Sequence, residues 1–224
     1  GKFIALLDGD DMWVPEKLEK SLEAFRKHPE SDIVCHDLRI TGENLKHERR
    51  RRFGPYPEDM YGKLLFDGNC LGISTTVLKR EVFFKHNFWF DEDKRLFGVE
   101  DYDFWLRLAE SGKFNFYYLP EVLTEYVVSE KSSTLDNIEK TGPNTLYLFD
   151  RNMKKHKFSK SEKANIARKR RSSIMRSIAL SYNYKREFRY SAIWFLKALK
   201  EYPFSKNNYI GLALSLLGIR LGRI

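Results

Sequence analysis

Phe3-Ile4-Ala5-Leu6-Leu7-Asp8-Gly9-Asp10-Asp11 runs an apolar strand straight into three aspartates. Unpaired carboxylates do not sit inside a buried strand, so Asp8, Asp10 and Asp11 belong where the strand leaves the core. Crowded there, they repel one another unless a proton or a cation relieves them. A hard divalent cation with oxygen ligands, Mg²⁺ or Mn²⁺, does this, and such ions usually accompany a phosphate-bearing substrate. Open α/β sheets also bind ligands at the carboxyl ends of their strands, where this cluster is expected. Asp and Gly after a strand equally make turns and cap helices, so the stretch alone leaves both readings open.

The aspartate strand begins at residue 3. A parallel strand at that point needs neighbours reached by crossovers. The expectation is therefore the back part of a larger protein, with most of a nucleotide-binding half lying N-terminal to it.

The 224 residues are enough for a core domain and an appendage, and 42% hydrophobic and 15% aromatic residues exclude wholesale disorder. Charge divides the chain. Residues 151–224 hold 19 Lys and Arg against 3 Asp and Glu, a net of +16, whereas residues 1–150 carry a net of −7. The expected domains are 1–135, mixed α/β, and 136–224, basic and all-helical. Cys35 and Cys70 have no partner at metal-binding spacing and read as free thiols of a reducing compartment, although a disulfide stays open. The longest apolar run, Tyr209 to Ile219, is too short to span a bilayer.

After the aspartates, Pro15 opens a predicted helix whose Leu18, Leu22 and Phe25 form its apolar stripe, ending near His28-Pro29. Ile33-Val34-Cys35 reads as a strand. Arg49-Arg50-Arg51-Arg52 reads as solvated surface, or as a means of steering a phosphate near an anionic substrate. Residues 58–66 form a short helix, 72–78 a strand and 79–85 another short helix. Glu100 and Asp101 open a helix on which Phe104, Trp105 and Leu108 make an apolar stripe. Two strands follow, 114–119 and 122–128, divided by Pro120, and only helices are read from Thr145 on. Acidic residues at a helix start ordinarily offset the macrodipole; the alternative is a general base facing an activated centre.

Leu7-Asp8-Gly9-Asp10-Asp11-Met12-Trp13-Val14-Pro15-Glu16-Lys17-Leu18 resembles the metal-binding segment of family 2 glycosyltransferases. Gly98-Val99-Glu100-Asp101-Tyr102-Asp103-Phe104-Trp105-Leu106-Arg107-Leu108 is similar to that family's acceptor-side acidic helix, and Gly72 to Arg80 resembles the strand beneath its acceptor cleft. The likeness covers roughly residues 2–135, with the two acidic motifs about ninety residues apart. It implies a GT-A-like mixed sheet flanked by helices, N-terminally truncated, followed by the all-helical C-terminal region.

It further implies an inverting hexosyltransferase-type enzyme that moves a sugar from a nucleotide-diphospho-sugar to a sugar or lipid-linked sugar acceptor, in cell-surface polysaccharide or glycolipid assembly. Asp10 is then the ligand of Mn²⁺ or Mg²⁺, with Asp8 assisting it or facing the donor ribose, and Asp11 holding the loop or its water shell. Asp101 and Glu100 are the catalytic pair, and which of them is the base stays open. The family's Tyr-Arg and later His are absent: Tyr126 is followed by Val127, Ser129 takes the His position, and Ser132-Ser133-Thr134 lies beyond, with Lys131 a possible substitute. Without its front half, the chain is expected to hold donor poorly.

The basic tail reads as a helical cap or as a peripheral contact with an anionic membrane at the inner face of the cell membrane, in the cytoplasm. Ile174, Ile178 and Tyr182 form one apolar line, and Ile193, Leu196 and Leu199 another. Trp194, Phe195, Leu212, Leu216 and Leu217 supply the membrane face. The stretch from Tyr190 to Pro203 with the helix after it resembles a tetratricopeptide-like pair. Two other functions compete. A haloacid-dehalogenase-like phosphohydrolase uses Asp8 as nucleophile, but it follows its second Asp with Gly and Thr or Val rather than Asp11-Met12-Trp13. A nucleic-acid binder explains the +16 tail, but no nucleic-acid module is present and the acidic front opposes a polyanion.

Overall fold

A strand covered on both faces is apolar at successive positions, and Ile33-Val34-Cys35 accordingly takes the centre of the sheet. In the computed structural model, which describes residues 1–42, 48–127, 138–155 and 162–221, β3 (Ile33–Thr41) is buried from Ile33 to Leu38. With β1 (Phe3–Ala5), β2 (Asp11–Trp13), β5 (Thr76–Lys79) and β6 (Phe116–Val127), it forms the order β1-β5-β3-β6-β2, and β4 (Arg49–Arg51) adds to the outer end of β3. Only the β3–β6 pair is parallel among those described. The expected mixed sheet is present. β1 enters it as an antiparallel neighbour of β5, with Phe3 opposite Lys79, rather than as a parallel strand.

Two strand boundaries differ from the sequence expectation. The break at Pro120 is absent and β6 is continuous. Proline has no N–H for the ladder, so the register jumps there, from Leu119 opposite His36 to Val122 opposite Asp37. The bulge absorbs Pro120 and Glu121 without ending the strand. At the other site, residues 73–75 are a 3₁₀ turn and strand pairing begins only at Thr76. The Thr75 and Thr76 hydroxyls donate to the Gly72 carbonyl at 3.0 and 2.6 Å, local bonds that compete with a ladder.

Helix α1 (Lys17–Lys27) follows Pro15 as predicted, but its buried face is rotated. Leu18 is exposed, and Lys17, Ser21, Ala24 and Phe25 face inward. Ala24 and Phe25 pack on Val34 and Val77, with the Phe25 ring 4.5 Å from that of Phe3. Lys17 is enclosed completely; its Nζ lies 3.5 Å over the Trp13 ring, and burial pushes the ammonium down to about 7. Helix α2 (Met60–Gly62) with its π-helical continuation to Asp67 covers the predicted 58–66 helix, and α3 (Glu81–Phe84) the predicted 79–85 helix. Helix α4 (Glu100–Glu110) buries Phe104, Trp105 and Leu108 wholly, as its stripe requires. Cys35 is buried and Cys70 partly so, and both are free thiols.

The arginine run divides by role. All four arginines are exposed, and Arg50 is held by Asp37, a fully buried carboxylate. Arg50 Nε and Nη2 reach Asp37 Oδ2 at 2.8 and 2.7 Å, and the Tyr118 hydroxyl donates to the same oxygen at 2.8 Å. The Phe53 N–H donates to Asp37 Oδ1 at 3.0 Å. A buried carboxylate persists only when so saturated.

The chain divides into two units: Gly1–Glu92 with Glu100–Lys131, and Asp93–Val99 with Ser132–Ile224. The second is built on α5 (Ile138–Lys155), α6 (Glu162–Tyr184), α7 (Phe188–Glu201) and α8 (Lys206–Leu216). Asp93–Val99 joins it through Asn144 Nδ2, which donates to the Phe97 carbonyl at 2.8 Å, and through Arg95, whose guanidinium lies 4.5 Å over the Tyr147 ring. Gly98, next to last in that segment, takes φ +74°, and a Cβ there would come within 2.6 Å of Thr141. Helices α6, α7 and α8 are joined by small polar side chains. The Ser191 hydroxyl reaches the Ala179 carbonyl at 2.8 Å and Ser215 Oγ at 2.9 Å, and Asn183 Nδ2 donates to Ser215 Oγ at 3.1 Å. Gly211 lets the Phe195 ring seat against α8, because a Cβ there would lie 2.2 Å from it.

That seating corrects part of the tail expectation. Ile174 and Ile178 are buried as expected, but on α7 the inward face is Ser191, Ala192, Phe195, Ala198 and Leu199, and Ile193 and Leu196 are exposed. Phe195 is unavailable to a membrane, whereas Leu216 and Leu217 are each 71% exposed. No helix among the described residues is long and apolar enough to cross a membrane.

Removing Asp37 leaves a guanidinium, a phenol and an amide without their acceptor. Asp37→Ala is expected to lose about 3–5 kcal/mol of stability, against about 1 kcal/mol for Tyr118→Phe, which removes one hydrogen bond. Urea unfolding of both variants measures the gap, and equal losses would contradict the central place given to Asp37.

Candidate active site

The aspartate cluster lies where β1 gives out. Beyond Ala5 the Leu6 N–H still reaches the Thr76 carbonyl at 3.4 Å, and the chain then turns, with the Asp11 N–H on the Asp8 carbonyl at 3.2 Å. Ser74 fixes this turn from the 3₁₀ segment before β5. Its hydroxyl accepts the Asp8 N–H at 3.0 Å, and its carbonyl accepts Trp13 Nε1 and Thr124 Oγ1, both at 2.9 Å. The turn leads into β2, which sets Asp11 opposite Tyr126 of β6. Asp8 and Asp10 remain exposed and Asp11 is half-buried.

The local field matches the crowding expected from sequence. Partial desolvation raises Asp8 above the usual carboxylate range, and Asp11, Asp10 and Glu100 raise it further. Asp11 is raised by burial and by Asp10, against the Ser74 hydroxyl, which favours its ionised form. Asp11 Oδ1 is buried without a hydrogen-bond partner among the described residues.

Glu100 and Asp101 open α4, whose first turn also carries Asp103. The three have different surroundings. Asp103 is fully buried and paired with Arg107 Nε at 2.7 Å, so it serves the helix. Glu100 is exposed. Asp101 is desolvated, which pushes its carboxyl up to about 6 even though two donors favour the ionised form: the Tyr102 N–H at 2.6 Å on Oδ1 and Asn69 Nδ2 at 3.0 Å on Oδ2. Glu100 and Asp8 contribute to the rise. Asp8 thus feels Glu100, and Asp101 feels Asp8. Two acidic motifs about ninety residues apart in sequence act on one another in the fold.

A carboxylate near 6, mostly ionised at neutral pH and held by an amide, has properties that suit a general base. The aspartate cluster offers only oxygens. Among the described residues no group of three or more Asp, Glu, His or Cys side chains is arranged to hold a metal ion. Mg²⁺ is characteristically held by one or two carboxylates with substrate phosphates and water filling the remaining positions. Asp8 and Asp10, with the unpartnered Asp11 oxygen behind them, fit that donor set.

Asn69 and Ser74 were not singled out in the sequence. Asn69 carried a turn signal alone, following Gly68, and its Oδ1 does accept the Leu71 N–H at 3.1 Å. Its reach to Asp101 is purely tertiary. Ser129, Lys131 and Ser132-Ser133-Thr134 lie outside the described residues.

No family model matches the chain. It is similar to an uncharacterised glycosyltransferase of Methanocaldococcus jannaschii, 26% identical over 141 residues, covering 62% of this chain and 47% of that protein. A second uncharacterised glycosyltransferase, from Haemophilus influenzae, is 27% identical over 135 residues, covering 60% and 45%. EpsE of Bacillus subtilis, whose naming as a glycosyltransferase is provisional, is 32% identical over 133 residues, covering 59% and 45%. The chain spans less than half the length of these curated relatives. Among solved structures, residues 1–349 of S. aureus TarS in complex with UDP-GlcNAc share its fold with a TM-score of 0.51 at 11% identity, over 97% of this chain and 64% of that one. The relatives support a glycosyltransferase.

The field around Asp101 can be tested without turnover. Carboxyl-carbon NMR should place its titration near 6. Asn69→Ala removes a donor to the ionised form and moves the midpoint up. Asp8→Asn removes a neighbouring negative charge and moves it down. Midpoints that ignore both substitutions would refute this arrangement.

Proposed function

We propose that this chain carries the metal-binding and acceptor half of an inverting, family 2, GT-A-type glycosyltransferase that uses a nucleotide-diphospho-sugar donor. The observation that carries the proposal is the mutual electrostatic influence of Asp8 and the Glu100-Asp101 pair. A donor-side carboxylate cluster and an acceptor-side base facing one another are what a single displacement needs. The glycosyltransferase names of the relatives and the UDP-GlcNAc bound by TarS support the donor class.

Asp101 accepts the proton of the acceptor hydroxyl as that oxygen attacks the anomeric carbon. The bond from that carbon to the diphosphate breaks on the opposite face, and configuration inverts. Asn69 holds the Asp101 carboxylate in place. Asp10, with Asp8, would hold Mg²⁺ or Mn²⁺, which when bound supplies positive charge beside the leaving diphosphate. Asp11 supports the turn through Ser74. Assembly of cell-surface polysaccharide or glycolipid is the setting we infer, with the basic helical unit resting peripherally on anionic lipid through Leu216 and Leu217.

Turnover of a panel of nucleotide-sugars with Mn²⁺ or Mg²⁺, in the protein that carries this chain, tests the assignment. Asp101→Asn should lower kcat by about 10²–10⁴ with little change in donor KM. Asp10→Asn should raise the metal concentration needed for half-maximal rate. A phosphoenzyme trapped on Asp8 would instead establish the phosphohydrolase chemistry.

A further inference from the structure

The helical unit holds a cavity of about 360 Å³ that the sugar-transfer reading does not use. Its walls come from α6 and from the junction between α7 and α8. Three cationic side chains line it, Lys169 and Arg176 from α6 and Lys206 from the first turn of α8, and none has a carboxylate partner among the described residues. Helix α8 also points its N-terminal end here. Its N-cap Ser205 lines the cavity and makes no side-chain cap hydrogen bond, so the positive end of the helix dipole adds to the three cations. A site of this charge takes an anion.

A second feature is independent of charge. Asn208, 1% exposed, is part of the lining, and its Oδ1 is buried without a hydrogen-bond partner. The orientation of that amide is fixed by its neighbours. The Ser172 hydroxyl donates its proton to the Ala198 carbonyl at 2.8 Å, so it can only accept from Asn208, and Nδ2 reaches it at 3.0 Å. Turning the amide over would set two acceptors against each other. The carbonyl oxygen is therefore left as a buried acceptor that wants a donor. Sulfate satisfies the cations but brings no such donor, and the P–OH of hydrogen phosphate sits on the group the cations hold, whereas a phosphate ester with free hydroxyls brings its donor on a separate arm. The volume lies at the small end of ligand pockets and suits a small ligand. Phe204, 81% exposed at the rim, supplies an apolar surface beside the polar floor.

We propose that this cavity is a binding site for a small polyol phosphate, its phosphate held by Lys169, Arg176 and Lys206 and a ligand hydroxyl donating to Asn208. The same chemistry is offered by a free sugar or glycerol phosphate and by a phosphatidylglycerol headgroup.

Calorimetry on the whole chain with glycerol 3-phosphate, inorganic phosphate and glycerol, beside co-sedimentation with phosphatidylglycerol vesicles, tests the site and separates the two sources. Glycerol 3-phosphate should bind at one site, at least tenfold more tightly than inorganic phosphate, and glycerol should not bind. The double variant Lys169→Gln/Arg176→Gln should weaken this at least tenfold, while Arg189→Gln, outside the cavity, should leave it unchanged. Saturable binding of the soluble ester identifies a free phosphate ester as the ligand. Vesicle binding that the double variant loses, with no heat from the soluble ester, identifies the lipid headgroup. Neither probe binding, equal affinity for inorganic phosphate, or a double variant that binds as the parent does would overturn the proposal. None of these readouts depends on sugar transfer, so they stand apart from the test of that activity.

Discussion

Ser74 is the point on which the candidate site depends. One residue accepts three hydrogen bonds from three different segments: the Asp8 N–H on its hydroxyl, and Trp13 Nε1 and Thr124 Oγ1 on its carbonyl. The aspartate turn, β2 and β6 are thereby referred to the same short 3₁₀ segment before β5. That explains why the segment is not a strand. A carbonyl engaged by two side chains is not available to a ladder, and Thr75 and Thr76 turn their hydroxyls back on Gly72. The local loss of sheet pairing leaves room for a tightly placed turn of carboxylates.

The sequence made the acidic residues legible because charge is visible without structure. An apolar strand ending in three aspartates, and a helix beginning with two acids before a buried stripe, can be read as patterns. What was illegible was which acids share a field. Asp103 sits two positions from Asp101, yet it is fully buried and paired with Arg107 one turn away. Asn69 and Asp37 carried no signal beyond turn and strand propensity, although one orients the proposed base and the other holds Arg50, Tyr118 and Phe53. Their partners are 13 to 81 residues distant, which no local pattern encodes.

The fold was legible to a similar depth and failed for similar reasons. Helix α1 and the stripe of α4 follow from periodicity, but the face that α1 buries was read as Leu18, Leu22 and Phe25 and is in fact centred on Lys17, Ser21, Ala24 and Phe25. Burial of a lysine defies the usual ranking. It is tolerated because the Trp13 ring receives the ammonium face-on and because desolvation moves the group toward its neutral form. Pro120 misled in the opposite direction. It signals a strand end when its missing N–H has to face a partner, and a register jump removes that requirement.

The desolvation that raises the site carboxylates also limits stability. Asp8, Asp11 and Asp101 all sit above their ordinary range chiefly through burial. A carboxyl whose folded value is raised is better tolerated protonated than ionised, so each is a net cost once pH rises past its unfolded value, and the cost is complete above the folded value. For Asp101 that window runs from 3.8 to about 6. A stability-optimised fold would replace these groups with amides. At the end of β1 and the start of α4, Glu100 raises Asp8 and Asp8 raises Asp101, and perturbed carboxyls grouped in this way mark a candidate functional site. On the proposed assignment, a cation held by Asp10 and Asp8 would offset the negative charge that Asp8 sets beside Asp101, and so would favour the ionised form of Asp101.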